Sequence, residues 1–292
     1  MRFIDLHTKA ECRFPADAAA ALGNFDGVHV GHRRLFAALP DGAPRAVFTF
    51  ADLAKAGEHS LLTTLDERLS LIGGCMVDYA AVADFAEVRD LSPEDFGDFL
   101  ATELRISRAV CGYNFTFGKN ASGGADDLCR LLGERGVGVT VVPEATVGGE
   151  TVSSTAIRKA LAEGDVGRAG AMLGREYSLT LPVAHGRALG RKLGFPTVNQ
   201  PIPDSLAVPR YGVYAVRVNV DGAEYRGICN VGVRPTVDGE NLCAETHIVG
   251  FDGDLYGKVV TVSFDRFIRD ERKFADADEL RLAIGKDISE CF

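Results

Sequence analysis

The stretch Leu22–Phe36, LGNFDGVHVGHRRLF, decides the fold of the first half of the chain. An apolar run before it predicts a strand, and the pattern after it predicts a helix at about 31–39. Three glycines and two histidines, His29 and His32, fill the connection. Glycine lets backbone N–H groups approach a ligand, and a helix N-terminus favours negative charge. The stretch therefore predicts an anion site at a strand-to-helix turn.

The rest of the first half repeats this alternation. Ser92 followed by Pro93 is a signal for the start of a helix. Near-continuous apolar strands separated by helices predict a parallel α/β sheet that is covered on both faces, with the histidine stretch at the carboxyl edge where such sheets bind ligands. Strands are expected at 19–25, 45–50, 78–85, 108–115 and 136–144, and helices at 64–73, 93–104 and 125–135.

The pattern changes after about residue 175. Apolar and polar residues alternate in 212–220, and Asp221-Gly222 after them is a hairpin signal. Asp252-Gly253 offers a second turn, and the tail from Asp276 to Ile288 has a helical pattern. We predict an antiparallel β-barrel closed by a terminal helix. The predicted domains are 1–174, which includes connecting helices within 155–173, and 175–292.

Composition and charge narrow the function classes. Apolar residues make up 46% of the 292 residues, enough for ordinary globular cores. The net charge of −9 disfavours a nucleic-acid partner. No apolar run approaches the roughly 20 residues that span a bilayer, and the N-terminus is too polar for a signal peptide. Seven scattered cysteines without a CxxC pair indicate free thiols and a cytoplasmic location. The oligomeric state stays unknown.

The residues of the first half suggest phosphate chemistry. Imidazoles at a strand-to-helix turn can donate to phosphate oxygens and stabilise the charge of a transfer step. A surface turn with incidental histidines and a metal site remain open, although HxxH is a poor zinc signature. Ser153, Ser154 and Thr155 can cap a helix in which Arg158 meets a triphosphate, or the helix is simply capped and its arginine solvated.

The second half offers a separate phosphate site at 185–200, HGRALGRKLGFPTVNQ. Its glycines can wrap phosphates through backbone donors. Thr197 and Asn199 supply hard oxygen ligands suited to Mg²⁺, although a glycine-rich hairpin with a polar tip remains open. Glu245 lies in a strand with Ala244, Thr246 and Ile248 on the opposite parity. A carboxylate inside a small barrel can take a proton from a hydroxyl; an exposed strand glutamate is the alternative.

Several motifs resemble one known family. GNFDGVHVGH resembles the HxGH signature of Rossmann-like nucleotidyltransferases, in the form found in prokaryotic bifunctional riboflavin kinase/FAD synthetases. CGYNFTFG at 111–118 and VSSTAIRKAL at 152–161 resemble its later motifs. Residues 177–288 resemble the riboflavin kinase module through GRKLGFPTVN, GVYAVRV, NVGVRPTV, AETH, DLYGK and RDERKF. Val198 replaces the usual alanine of the PTAN motif, which leaves both ligating side chains in place.

The resemblance implies phosphorylation of riboflavin to FMN and adenylylation of FMN to FAD, with Mg²⁺, and with ATP, riboflavin and FMN as substrates. By this resemblance His29 and His32 stabilise the adenylyl transition state, and Glu245 is the base acting on the ribityl 5′-hydroxyl. Thr197 and Asn199 bind Mg-ATP. The remaining substrate contacts are Gly23, Phe25, Asp26, Gly31, Asn114, Ser154, Thr155 and Arg158 in the first half, and Gly186, Gly190, Arg191 and Gly194 in the second.

One segment departs from the family pattern. Family members commonly continue the strand at 45–50 into proline-histidine-proline, whereas this chain has FTFADLAKAGEH at 48–59. A riboflavin kinase with a degenerate adenylyltransferase domain therefore remains an alternative. A flavin-binding regulatory protein is disfavoured by Thr197, Asn199 and Glu245, because sensing needs neither metal ligands nor a base.

Overall fold

A computed structural model describes residues 1–5, 13–51, 60–185, 190, 194–236 and 239–292, with the backbone alone at 5, 234–236 and 239–241. The chain forms two compact units, Met1–Ser154 and Thr155–Phe292. The helices within 155–173 lie in the second of these units. The functional boundary at 174/175 stays a prediction.

The first unit is the predicted parallel sheet. Its six strands have the order β1-β4-β3-β2-β5-β6. They are β1 Arg2–Asp5, β2 Ala19–Leu22, β3 Arg45–Phe50, β4 Tyr79–Ala83, β5 Arg108–Gly112 and β6 Gly138–Val142. The helices are α1 Val30–Ala37, α2 Leu65–Gly73, α3 Phe85–Val88, α4 Pro93–Asp98, a π-helix Phe99–Glu103, a 3₁₀ turn Lys119–Ala121 and α5 Ala125–Gly133. A hairpin of β7 Thr146–Val147 and β8 Glu150–Thr151 follows.

The central strand β2 shows why the sheet is covered on both faces. All four of its residues are buried. Ala20 and Leu22 belong to one apolar core and Ala19 and Ala21 to the other. Successive strands extend from β2 in one direction through β3 and in the other through β5. The order thus reverses between β2 and β5, and the carboxyl ends of strands at such a point form a crevice that binds ligands in open α/β sheets.

Several elements of the first unit differ from expectation, since α3, the 3₁₀ turn and the β7–β8 hairpin were not predicted. We did not predict β1, which pairs in parallel with β4 at the edge of the sheet. The helix expected at 93–104 begins as predicted, since the Ser92 hydroxyl accepts from the Asp95 N–H at 3.1 Å and Pro93 opens the first turn. It widens into the π-helix at Phe99. The Thr102 hydroxyl donates to the Asp98 carbonyl at 2.6 Å there, a bond that competes with the regular backbone ladder.

The second unit is the predicted barrel, nearly closed. Its antiparallel strands have the order β10-β13-β12-β11-β14-β9. The elements are α6 Ser154–Ala162, α7 Val166–Leu173, β9 Ser178–Pro182, β10 Thr197–Pro201, β11 Gly212–Val220, β12 Ala223–Thr236, β13 Gly239–Ile248, β14 Val259–Arg269 and α8 Ala277–Cys291. The Gln200 amide, fully buried, donates to the carbonyls of Leu181 and Val260, both at 2.8 Å, and ties β10 to β9 and β14.

The two predicted turns of the barrel have different outcomes. Asp221 and Gly222 join β11 to β12 with φ of 50° and 88°, the left-handed pair that a tight hairpin requires. The second turn, predicted at Asp252-Gly253, does not form at those residues. Strands β13 and β14 are joined by the longer loop 249–258, whose left-handed residues are Gly250 and Gly257 rather than Asp252-Gly253.

A half-buried ion pair helps to fasten the terminal helix α8 to the barrel. The Arg269 guanidinium on β14 donates to the Asp287 carboxylate at 2.7 and 3.0 Å, and Asp287 is 4% exposed. We expect Asp287→Ala to lower the free energy of unfolding by about 2 kcal/mol. This is less than the ~3–5 kcal/mol of a fully buried pair because the Arg269 side chain keeps 24% exposure.

Urea unfolding of the full chain measures this loss. The neighbouring exposed Lys286→Ala is the matched control, with an expected change below about 0.5 kcal/mol. Equal losses in both variants would show that the pair does not fasten the helix.

Candidate active sites

The first site is built on the loop 23–29, here called the histidine loop, which joins β2 to α1. Its backbone is left-handed at Phe25, Gly27 and Val28, with φ of 55°, 80° and 44°. Such a conformation is unusual for a β-branched residue such as Val28 and persists only where surrounding contacts hold it. At Gly23 an added Cβ would lie 3.1 Å from the Phe25 ring, so the loop has little room for a side chain there.

Contacts from distant parts of the first unit hold the histidine loop. The Asn24 carbonyl accepts from the Thr49 hydroxyl and from the Arg68 guanidinium, both at 3.1 Å. The Asp26 carboxylate, 4% exposed, accepts from the N–H groups of Leu62 and Thr63 at 2.9 and 3.3 Å. Asp26 is thus engaged with the backbone before α2, and the structure gives it a role in shaping the loop.

Ser154 also holds this loop. Its hydroxyl donates to the Asp26 carbonyl at 2.9 Å, and this bond uses the only hydroxyl hydrogen. Its predicted contact with ATP phosphates stays a prediction. Thr155 and Arg158, exposed and half-buried respectively, lie in the first turns of α6, where Ile157 and Leu161 are fully buried as expected.

The two histidines form a stacked pair at the start of α1. His29 is the N-cap residue, and its Nδ1 accepts from the backbone N–H of His32 at 3.2 Å. The rings stack with centroids 3.5 Å apart. Gly31 has no room for a side chain, because an added Cβ would lie 3.0 Å from the His29 ring. The sequence spacing therefore brings both imidazoles to one helix N-terminus, where backbone N–H groups also favour an anion.

His32 is held in its neutral form. Burial lowers the pKa of His32 well below the usual 6.5, and the positive charge of the nearby Arg68 lowers the pKa further. A neutral imidazole still carries one N–H donor, which is what phosphate binding requires. Asn114 lies exposed after β5, the strand beside β2 in the sheet.

The second site lies on one face of the barrel sheet. In antiparallel register, Asn199 is opposite Glu245, Glu245 is opposite Asn230, and Thr197 is opposite His247. Directly opposed residues of antiparallel strands share a face. We call this set (Thr197, Asn199, Asn230, Glu245 and His247) the polar face.

Glu245 does not lie in the barrel interior. Ala244, Thr246 and Ile248 are buried on the other side of β13, while Glu245 is half-buried on the polar face. The expectation of an inward-pointing carboxylate is therefore wrong, because the inner positions of β13 are those of the opposite parity. The predicted neighbourhood is nevertheless present, since Glu245 and Asn199 are direct cross-strand neighbours.

Asn199 fits a hard cation. Its side chain is 5% exposed, and its Oδ1 is buried with no hydrogen-bond partner among the residues that the structure describes. An unpaired amide oxygen in that position is costly unless a donor or cation satisfies it, and Mg²⁺ takes oxygen ligands of this kind. Thr197, half-buried on the same strand and face, adds a hydroxyl oxygen.

The glycine-rich loop is only partly described. Gly186 and Arg191 lie outside the described residues. Gly190 accepts from the Phe195 N–H at 2.8 Å and has no space for a Cβ, which would lie 2.3 Å from the Phe195 carbonyl oxygen. Gly194 is left-handed, with φ of 85°. Gly190 is thus required by the close approach of the Phe195 backbone, and Gly194 by its left-handed conformation.

Two neighbours of the sites were missed by sequence reasoning. Glu271 accepts from the Asn230 amide at 2.9 Å and fills the space over Gly232. Arg68 holds the histidine loop, as described above. A glutamate within RDERKF and an arginine within a helical LDERL pattern are typical of solvated positions. Apart from being charged, neither residue has a sequence feature that indicates a role beside a site.

Comparisons with known proteins cover both halves of the chain. Residues 12–156 match the FAD synthetase family and residues 173–291 the riboflavin kinase family. A bifunctional riboflavin kinase/FMN adenylyltransferase from Bacillus subtilis is 36% identical over 290 residues, covering 94% of this chain and 92% of the relative. One with the same description from Escherichia coli K12 is 36% identical over 279 residues, covering 91% and 89%.

A solved structure described as a macrolide-efflux protein from Streptococcus pneumoniae is 30% identical, with a TM-score of 0.89, and covers 100% of this chain and 99% of that one. In the part of the chain that the structure describes, no helix is both long and apolar enough to cross a membrane. The two family matches, in chain order and joined in relatives of nearly equal length, show that the chain belongs to the bifunctional riboflavin kinase/FMN adenylyltransferase family.

Proposed function

We propose that the two reactions of this bifunctional enzyme are carried out at the two sites described above, adenylylation of FMN by residues 1–174 and phosphorylation of riboflavin by residues 175–292. The enzyme forms FMN from riboflavin and ATP, and FAD from FMN and a second ATP. The observation that carries the assignment is the stacked pair of His29 and His32 at a helix N-terminus beside the switch point of the sheet. Both family matches are present, so no finding favours a kinase alone.

In the adenylyltransferase reaction, a phosphate oxygen of FMN attacks the α-phosphorus of ATP. The bond from that phosphorus to the pyrophosphate oxygen breaks, and pyrophosphate leaves. His29, His32 and the N–H groups at the start of α1 donate to the phosphate oxygens that gain charge. Thr155 and Arg158 hold the triphosphate, and Asn114 contacts the flavin side. These roles follow the family motif and the placement of the histidines on a fixed loop.

In the kinase reaction, the ribityl 5′-hydroxyl attacks the γ-phosphorus of ATP and ADP leaves. Glu245 accepts the hydroxyl proton, since its carboxylate lies on the polar face beside Asn199. Thr197 and Asn199 would hold Mg²⁺, which shields the phosphate charge when it is bound with ATP. Gly186, Gly190, Arg191 and Gly194 surround the phosphates in this proposal.

The charge and the thiols of the enzyme support its proposed partners and location. Its partners are small molecules, with no nucleic acid, as the net charge of −9 supports. A cytoplasmic location is supported by the thiols, because the six described cysteines are all free.

Product analysis tests the proposed function. The full chain is supplied with riboflavin, ATP and Mg²⁺, and FMN and FAD are separated by chromatography. We expect FMN to appear first and FAD to follow, and both to vanish when EDTA removes Mg²⁺. Formation of FMN without FAD at millimolar FMN and ATP would contradict the assignment of residues 1–174.

Separate expression of the halves gives a further expected result. Helices α6 and α7 bury Ile157, Leu161, Met172 and Leu173, and the Leu161 carbonyl accepts from the Arg210 N–H at 2.8 Å. A fragment 155–292 is therefore expected to fold and form FMN. Fragment 175–292 lacks this apolar packing. It should also form FMN, but its free energy of unfolding should be lower by several kcal/mol, at about 25 cal/mol per Å² of lost burial, and its urea midpoint should fall accordingly.

Kinase assays and urea unfolding of both fragments measure this. A folded 155–292 fragment without kinase activity would mean that the first unit supplies part of the kinase site. Equal unfolding midpoints would show that the helices do not stabilise the barrel.

A further inference from the structure

Arg68 on α2 is a buried charge that the proposed reactions do not use. Its side chain is 1% exposed. Burying a guanidinium is costly unless hydrogen bonds compensate, so its partners show what it does in the fold. Burial lowers the pKa of Arg68 to about 10, while the charge of Asp26 acts in the opposite direction. The group is therefore charged at neutral pH.

Among the described residues, the Arg68 guanidinium donates to two backbone carbonyls at the carboxyl ends of neighbouring strands. Nη1 donates to the Asn24 carbonyl at 3.1 Å, directly before the left-handed Phe25. Nη2 donates to the Phe50 carbonyl at 2.6 Å, at the end of β3. The Thr49 hydroxyl reaches the same Asn24 carbonyl at 3.1 Å. One planar group thus sets the spacing between the histidine loop and β3.

We propose that Arg68 is a positioning residue for FMN adenylylation, which holds the carbonyls of Asn24 and Phe50 and so fixes the direction in which the histidine loop leaves β2. The proposal rests on the role proposed above for His29 and His32. Arg68 does not touch substrate; it acts through the placement of the imidazoles.

The variant Arg68→Lys keeps the charge but loses the two-pronged geometry, since one ammonium does not span both carbonyls. We expect kcat for FAD formation from FMN to fall roughly 10- to 100-fold, because displacement of a catalytic group by about 1 Å costs on the order of 10²-fold. KM for FMN and for ATP should change less than about threefold. Riboflavin phosphorylation by the same chain should be unchanged.

Arg45→Lys is the matched control. The Arg45 guanidinium also donates to a backbone carbonyl, that of Phe36 at 2.6 Å, and its side chain is 15% exposed. It lies at the amino end of β3, at the opposite edge of the sheet from the histidines. We expect it to lower the unfolding midpoint as Arg68→Lys does, and to leave kcat for FAD formation unchanged. If Arg68→Lys does not fold, Thr49→Val removes one donor to the same Asn24 carbonyl and should lower kcat about three- to tenfold.

A double-mutant cycle with His32→Ala separates positioning from other effects. If Arg68 acts through the histidines, adding Arg68→Lys to the His32→Ala chain, in which only His29 can still be displaced, lowers residual FAD formation by a smaller factor than in the unchanged chain. The proposal is overturned if folded Arg68→Lys and Thr49→Val chains keep full kcat, or if Arg68→Lys causes the same loss with and without His32. Failure of the histidine role itself would be seen differently, as FAD formation that survives His29→Ala and His32→Ala.

Discussion

A chain carrying His29→Ala and His32→Ala is expected to make FMN from riboflavin at the normal rate and to accumulate no detectable FAD. Each substitution removes a donor aimed at phosphate charge, worth roughly 3–4 kcal/mol in transition-state stabilisation at well-studied oxyanion sites. The two losses together leave adenylylation below ordinary detection. The kinase site proposed for the other unit provides an internal measure of enzyme amount and of the folding of that unit.

His29 also caps α1, and this second role must be separated from the first. His29→Asn retains a side-chain acceptor for the His32 N–H and keeps most of the capping energy of about 1 kcal/mol. We expect His29→Asn to be as stable as the unchanged chain and still strongly impaired in FAD formation. Chromatography of the products after supply of FMN, ATP and Mg²⁺ gives the rate. Substantial FAD formation by the double alanine variant would exclude the histidines from the chemistry.

The second large effect is expected at Glu245. Replacement by glutamine keeps the size of the side chain and removes its ability to accept the hydroxyl proton, which should lower riboflavin phosphorylation by roughly 10²–10⁴-fold. Conversion of supplied FMN to FAD should proceed as before. Glutamine fits the same polar face between Asn199 and Asn230, so the loss is expected without any change in the stability of the barrel.

Glu224→Gln, an exposed glutamate on the adjacent strand β12, is the control for loss of a strand carboxylate, and it should retain full activity. Steady-state kinetics with riboflavin and ATP, read separately as kcat and KM, would locate the effect of Glu245→Gln in kcat. Near-normal turnover in that variant would remove Glu245 from the mechanism.

The elements that could be predicted from the sequence are those specified locally. Strand β3 has the expected bounds because four consecutive β-forming residues, Val47 to Phe50, follow a turn that contains Gly42 and Pro44. The Asp221-Gly222 hairpin follows from two residues that accept a left-handed backbone. The turn after β13 was predicted at the wrong residues because the chain reverses over the longer loop 249–258. In a loop of that length, a two-residue turn signal does not determine where the strands end.

The parts of the sites that escaped prediction depend on distant contacts. Nothing in the neighbours of Arg68 shows that its guanidinium is buried, because an arginine in an amphipathic helix usually faces water. The sequence shows that Glu245 and its neighbours Ala244 and Thr246 point to opposite faces of the strand. Which of these faces points inward is set by the closure of the barrel. The histidine pair was predictable as a motif, whereas its stacking and its shared helix N-terminus are properties of the fold.

The histidine loop also has a consequence for synthesis and for engineering. Its holders, Thr49, Thr63, Arg68 and Ser154, follow it by between 25 and 128 positions. During translation the loop therefore lacks its full set of holders until residue 154 has emerged, long after the motif itself. A ten-residue graft of GNFDGVHVGH into another scaffold would transfer the sequence of the motif without the distant hydrogen bonds that hold it. Its left-handed residues would then relax to backbone conformations of lower energy.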